Sequence, residues 1–260
     1  MELRATVQGV PLVLRIPRKK VFVPNLVGLL NAATMRVAEG DVVFDASTGS
    51  GVHAILAAKL GARRVIACDV SPDAIAAARL NARLNGVAGR CRFILGSFAE
   101  ALERVRDVDL VVSTLPNTPL GHPGSREPAM RAAPLVSRYL SGGAGGASLT
   151  AELARKAIPR LSGAGRLHLH LVEWNDNEPL LAALREGGLA VRTLTRARIP
   201  AWGLRCNAAG AFERKALRNP WVIRYAELGG RGQSVRVIEA ARRPAAARRA
   251  AAQVVVWVSR

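Results

Sequence analysis

Apolar residues in this chain fall into short runs, and the spacing inside each run predicts its structure. Residues 3–7 and 12–16 alternate apolar with polar positions, the period of a strand with one buried face. Gly9 and Pro11 between them mark a turn, so the chain begins with a hairpin, closed by the basic triplet Arg18, Lys19, Lys20. Residues 26–37 carry apolar side chains at helical spacing behind Pro24 and Asn25 and stop at Gly40. From there strands and helices alternate. Strands over 42–45, 65–69, 92–95 and 110–112 are separated by helices over 52–60, 72–85 and 99–105. Ser71 caps the second of these helices, with Pro72 at its first position, where a missing N–H does no harm. A helix over 149–161, a strand over 167–172, a helix over 177–186 and a strand over 189–194 continue the pattern, and 254–258 reads as a last strand. Alternation of this kind requires a parallel sheet with helices on both faces, so the fold class is α/β and Rossmann-like.

The expected organisation is a hairpin and helix (1–40) packed on a core (41–200), then a basic segment (201–260) that returns a final strand to the sheet. Residues 121–146, rich in Pro, Gly and Arg, form a long loop, which in a compact domain is more often functional than not. Residues 202–249 show no pattern that assigns a fold.

Half of the 260 residues are hydrophobic, enough for one well-buried domain, and no apolar run approaches the length of a bilayer span. The first ten residues lack the apolar core and cleavage site of a signal peptide, so a soluble, cytoplasmic protein without membrane contact is expected. Cys68, Cys91 and Cys206 form no C-x-x-C pair, and His53, His122, His168 and His170 have no zinc-site spacing. Buried thiols, a strand face shared by His168 and His170, and no metal follow. The net charge of +19 changes the picture more, because so basic a surface attracts phosphate. It points to RNA or a ribosome-associated protein as partner, and equally to a compositional bias with arginines on solvated helix faces.

The segment Asp45-Ala46-Ser47-Thr48-Gly49-Ser50-Gly51 stands where the first strand of the alternating pattern turns into its helix. Two glycines let the backbone approach a ligand, and a helix start offers unpaired N–H groups. Gly49-x-Gly51-x-x-Ala54 by itself also fits a dinucleotide fingerprint. Asp69, about twenty residues on, can accept both ribose hydroxyls of either kind of ligand. Asp45 separates the two, since an anion there repels a pyrophosphate and favours a sulfonium with its α-ammonium.

On these residues the run 42–116 resembles the class I S-adenosylmethionine-dependent methyltransferases, and within them the branch that includes the glutamine N5-methyltransferases of peptide release factors. Asp45-x-x-x-Gly49-x-Gly51 matches the first motif, and Asp69-Val70-Ser71-Pro72-Asp73-Ala74 the segment after the second strand. Asn81 with Asn85-Gly86, Gly142-Gly143-x-Gly145-Gly146, Gly165-Arg166-Leu167 and Val21-Phe22-Val23-Pro24 extend the likeness over about 21–200. The resemblance implies a seven-stranded sheet and S-adenosylmethionine as cofactor. Asp45, Gly49 and Gly51 would hold its methionine part and Asp69 its ribose, with Ser47 and Val70 beside them.

Two departures matter. Gly96-Ser97-Phe98 stands where the family has Gly-Asp-Leu, so Ser97 or a backbone group must accept from the adenine amino group, next to Phe98. Thr114-Leu115-Pro116-Asn117 replaces Asn-Pro-Pro-Tyr, the motif that orients a planar amide or amine toward the methyl group. Thr114, Pro116 and Asn117 are therefore the candidate catalytic residues, Thr114 keeping one acceptor and Asn117 supplying an oxygen from a shifted position. Methyl transfer needs alignment more than acid–base chemistry, and His122 is the best candidate base. Glu173 and Trp174 follow the fifth strand at the same rim. Arg242, Arg243, Arg248 and Arg249 could track phosphates and Trp202, Trp221 and Tyr225 stack bases, against a solvated face with packed tryptophans. The leading expectation is methyl transfer to nitrogen. Next come RNA methylation through the basic surface and a cofactor-binding scaffold without catalysis, with a nicotinamide dehydrogenase behind all three.

Overall fold

The computed structural model describes residues 1–17, 20–117, 142–200, 221–224, 232–242 and 253–259. In chain order the elements are β1 (Glu2–Val7), β2 (Val10–Arg15), α1 (Leu26–Thr34), β3 (Val42–Asp45), α2 (Val52–Lys59), β4 (Arg64–Asp69), α3 (Pro72–Leu84), β5 (Cys91–Leu95), α4 (Phe98–Glu103) and β6 (Val108–Val112). They continue with α5 (Ser148–Ala157), β7 (Leu161–Val172), α6 (Glu178–Glu186), β8 (Ala190–Pro200), β9 (Trp221–Arg224), β10 (Gly232–Ala241) and β11 (Gln253–Ser259). Seven strands form the main sheet in the order β5-β4-β3-β6-β7-β10-β8, with β10 antiparallel to both its neighbours. The order reverses at β3, and in open α/β sheets such a point leaves a crevice beyond the carboxyl ends of the strands.

The two faces of the sheet bury separate cores. Val43, Val65 and Leu110 pack with α1, α2 and α3, while Phe44, Ile66, Val111 and Leu169 pack with α4, α5 and α6. Helix starts follow local chemistry: Asn25 accepts from Gly28 N at 3.0 Å, and Ser71 accepts from Ala74 N with Pro72 behind it. Helix ends depend on contacts from elsewhere. α1 stops at Thr34 instead of 37, where the Gln8 amide of the hairpin turn donates to the carbonyls of Ala32 (2.8 Å) and Met35 (2.7 Å). The helix expected over 149–161 ends at Ala157, because Pro159 lacks an N–H and forces a tighter turn over Ile158–Arg160. β7 then begins at Leu161, six residues before the expected 167.

The largest correction concerns the final strand. β11 does not enter the seven-stranded sheet; it pairs with β1 and β9 in a second, antiparallel sheet of order β2-β1-β11-β9. The seventh strand of the main sheet is β10, from the stretch the sequence pattern left unassigned. β10 is fixed by a buried ion cluster. Glu239 accepts from Arg192 at 2.7 Å and lies 4.0 Å from Arg166, which also donates to Asp41 at 2.8 Å.

The small sheet is tied to the main body through two asparagines one turn apart on α3. Asn85 donates to Val13 O (2.7 Å) and accepts from Val13 N (3.1 Å), while Asn81 accepts from Arg15 N (2.7 Å) and donates to Arg15 O (3.2 Å). Side-chain amides here stand in for a neighbouring strand and cover the edge of β2, which also explains why Pro11 is tolerated on it. Among the described residues, no helix is long and apolar enough to cross a membrane.

Candidate active site

At the carboxyl ends of β3, β4, β5 and β6 the main sheet opens into a cleft of about 530 Å³. Its floor is the turn from β3 into α2. Gly49 (φ 53°) and Gly51 (φ 92°) sit in the left-handed region, which favours glycine. Gly49 donates its N–H to Asp69 Oδ2 at 2.9 Å, and Ser71 N donates to Asp69 Oδ1 at 2.9 Å, so the carboxylate at the end of β4 is oriented by two backbone amides. Burial nonetheless raises the Asp69 pKa, against the pull of those amides. Val70 follows it, half exposed at 52 % although apolar, and faces the cleft with Phe98.

Asp45 is fully buried beneath this floor and does not itself line the cleft. Neither of its carboxylate oxygens has a hydrogen-bond partner; the Thr48 hydroxyl and the Ser47 amide face it without ordinary bonding geometry. Burial pushes its pKa from 3.8 up to about 7, and the Asp69 charge adds to the rise. No cation lies within ion-pair distance of Asp45 or Asp69 among the described residues.

Sequence reasoning placed three of these residues differently. Gly51 does not border the cleft: a Cβ there would meet Ala78 at 3.3 Å, so its lack of a side chain serves the packing of α2 on α3. Ser97 borders the cleft, but its hydroxyl donates to Glu100 at 2.8 Å and accepts from Glu100 N at 3.3 Å in a capping box. Its proton and one of its two lone pairs are taken up by the helix start. Asp45, as noted, lies beneath the floor and outside the cleft lining. Ser47, Gly49, Asp69, Val70 and Phe98 do line the cleft, as do Thr114, Pro116 and Asn117 on its far side.

On that far side the structure brings together residues that the sequence did not connect with the site. Asn117 Nδ2 donates to His170 Nε2 at 2.7 Å, and Asn175 Nδ2 donates to the Asn117 carbonyl at 2.6 Å. Gly142 and Gly146 close over this turn; a Cβ on either would stand 2.8 Å from Asn117 Cα or 2.7 Å from its carbonyl oxygen. His170 and His53 both line the cleft, and His168 lies behind them against Asn31 O at 2.9 Å. Burial holds all three neutral, with pKa values lowered from 6.5 to about 3 for His53 and about 4 for His168 and His170. The alternation of His168 and His170 with leucines placed both on one face of β7, but nothing in the sequence showed that this face turns toward the cleft.

Glu173 accepts from Ser234 Oγ at 2.7 Å, and Glu173 and the exposed Trp174 stand outside the cleft lining. His122, Cys206, Trp202, Tyr225, Arg18, Lys19, Arg243, Arg248 and Arg249, and the side chain of Trp221, lie outside the described residues. Among the described residues, no three His, Cys, Asp or Glu side chains gather closely enough to hold a metal ion.

The sheet order is that of the Rossmann-like class I methyltransferase fold. Residues 27–120 match the family model of ribosomal protein L11 methyltransferase (PrmA). The ribosomal protein L11 methyltransferase of Pelotomaculum thermopropionicum is 46 % identical over 79 residues, 30 % of this chain and 25 % of that protein. That of Anoxybacillus flavithermus is 47 % identical over 64 residues, 25 % of this chain and 20 % of the relative. The chain thus spans about a quarter of the length of the curated relatives it matches, and the part matched by the family model holds strands β3 to β6 of the main sheet. Among solved structures, the M. jannaschii tRNA m1G37 methyltransferase superposes with a TM-score of 0.52 at 16 % identity, over 90 % of this chain and 52 % of that one. M. jannaschii TYW2 in complex with AdoMet gives 0.51 at 16 % identity, over 92 % and 84 %. Likeness at this level shows the fold alone.

Proposed function

We propose that this chain transfers a methyl group from S-adenosylmethionine to a nitrogen atom. The observation that carries the reading is the pair Asp45 and Asp69, two carboxylates without a cation, Asp69 lining the cleft and Asp45 buried beneath its floor, in a chain of net charge +19. Such a pair fits a sulfonium nucleoside and opposes a pyrophosphate.

S-adenosylmethionine, when bound, supplies an electrophilic methyl carried on a sulfonium. Asp69, already aimed by Gly49 and Ser71, accepts the ribose hydroxyls, while Val70 and Phe98 offer apolar walls to the adenine. With the Ser97 hydroxyl held by the capping box, the adenine amino group is left its one open lone pair and the backbone acceptors of 96–98. The backbone of 47–50 takes the methionine part, with the Asp45 charge beneath it.

On the acceptor side Asn117 takes over the part of the absent family asparagine. Because a neutral imidazole nitrogen accepts the Asn117 N–H, Asn117 Oδ1 remains as an acceptor for the hydrogens of an incoming nitrogen. Protonated His170 would have no lone pair to offer, so the burial that keeps it neutral also keeps this amide in place.

The stretch similar to L11 methyltransferases favours a protein nitrogen as acceptor. The charge of +19 favours RNA as a second reading. Isothermal titration with S-adenosylmethionine and S-adenosylhomocysteine tests the cofactor half, and absence of heat with both would refute it. Labelled methyl offered in parallel to protein, RNA and small-molecule fractions separates the acceptors. Binding without transfer to any fraction would leave a scaffold.

A further inference from the structure

At the opposite end of the main sheet, four exposed arginines surround a second concavity. Arg63 and Arg64 stand at the start of β4, and Arg90 and Arg92 at the start of β5; with Gly89 and Cys91 they line a hollow of about 430 Å³. In the parallel register Val65 faces Cys91 and Ile66 faces Arg92, which makes Arg64 and Arg90 neighbours at the entry of adjacent strands. Like charges so placed repel each other. None of the four is within ion-pair distance of a carboxylate among the described residues. Asp41, whose carbonyl accepts from Arg63 N at 3.0 Å, turns its carboxylate to Arg166 and to Ala38 N instead. Arg63 Nε donates to Gly40 O at 3.0 Å and Arg90 Nη1 to Ala58 O at 3.2 Å, which aims both side chains while most of their N–H donors stay open.

We infer that this hollow binds the phosphodiester backbone of a nucleic acid. Neighbouring strands lie about 4.8 Å apart and alternate residues along a strand about 6.6 Å, so the four side chains start from a footprint wider than one phosphate. Arginine forks match phosphate oxygens in pairs. The position adds direction: β5 is the sheet edge, and β4 runs roughly 17 Å from Arg64 to the cleft at Asp69, a span of a few nucleotides. A strand held at the arginines can therefore follow that edge to the cleft. Only this last step rests on the methyltransferase reading; the docking itself does not.

The test is fluorescence anisotropy of the full chain with a labelled single-stranded RNA of about 20 nucleotides, over a range of salt. The variant R63Q/R64Q/R90Q/R92Q is compared with R83Q/R104Q/R155Q/K156Q, which removes the same charge from exposed positions on α3 and α5 and at the end of α4. Loss of four phosphate contacts should lower the slope of log K against log salt by about 3 and weaken binding at least roughly thirtyfold at physiological salt, the control changing it less than about threefold. S-adenosylmethionine titration of both variants should match the parent chain, which keeps a failure of docking distinct from a failure of the cofactor reading. Equal losses in the two variants, no RNA binding by the parent chain, or full displacement of RNA by millimolar inorganic phosphate would each overturn the proposal.

Discussion

Asp45 and Glu239 lie in one row across the same face of the main sheet, joined through Val112 and His168 as successive neighbours, and the protein treats them in opposite ways. Glu239, 3 % exposed, is held by Arg192 and Arg166, so its charge is compensated inside the fold. Asp45 is fully buried with no partner. A buried pair that is complete holds the sheet together, whereas a carboxyl buried without a counter-ion is costly when ionised and takes up a proton until a cation is brought to it. The difference sets the ion cluster of β7, β8 and β10 apart as architecture and agrees with the binding role proposed for the end of β3.

Removing each acid should break the comparison in opposite directions. Glu239→Ala removes the central carboxylate of a buried ion cluster and should cost about 3–5 kcal/mol in urea unfolding, with S-adenosylmethionine affinity of the folded fraction unchanged. Asp45→Asn should stabilise the apo protein at pH 8. A carboxyl pKa raised from 3.8 to about 7 represents about 4 kcal/mol, and an unsatisfied amide returns part of it, leaving a gain of about 1–3 kcal/mol. The same variant should bind the cofactor at least about tenfold more weakly.

The pH dependence sharpens the contrast. Because the folded pKa of Asp45 is raised, its contribution is full below 3.8 and is lost as pH rises through about 7. The three buried histidines act with the other sign: their contribution is present above 6.5 and is lost as pH falls through about 4. Three outnumber one, so apo stability should rise from pH 4 to 6.5, more steeply in Asp45→Asn. A slope that the substitution leaves unchanged would mean that Asp45 is ionised throughout.

A smaller effect lies on the acceptor side. His170→Leu should slow methyl transfer about tenfold or more while leaving the cofactor dissociation constant alone, and His170→Gln, which can still accept from Asn117, should recover part of the rate. Asn85→Ala, which removes two hydrogen bonds to the edge of β2, should cost about 1–2 kcal/mol of stability and nothing in binding.

Much of the cofactor half was legible because its signals are local. The Ser71 cap, Pro72, the glycines of the β3–α2 turn and the acids at two strand ends each act within a few residues. What escaped depends on distant partners. β10 carries Arg236 and Glu239 within its apolar run, and the buried glutamate is compensated by Arg192, 47 residues away, together with Arg166. The final strand read correctly as a strand, but its sheet was set by β1, at the other end of the chain. Gly51 and Ser97 matched a ligand motif by position, and only the packing of α2 on α3 and the Glu100 side chain showed what else they do. His170 and Asn175 have ordinary spacing; their meaning appears once Asn117 stands between them.

Proton release on cofactor binding tests the central claim most directly. Titration of S-adenosylmethionine at pH 6 in two buffers of different ionisation enthalpy should show a fraction of a proton leaving the parent chain, as the sulfonium draws Asp45 into its charged form, and less leaving Asp45→Asn. Equal proton release by both, together with an affinity that stays flat from pH 6 to 8, would contradict it.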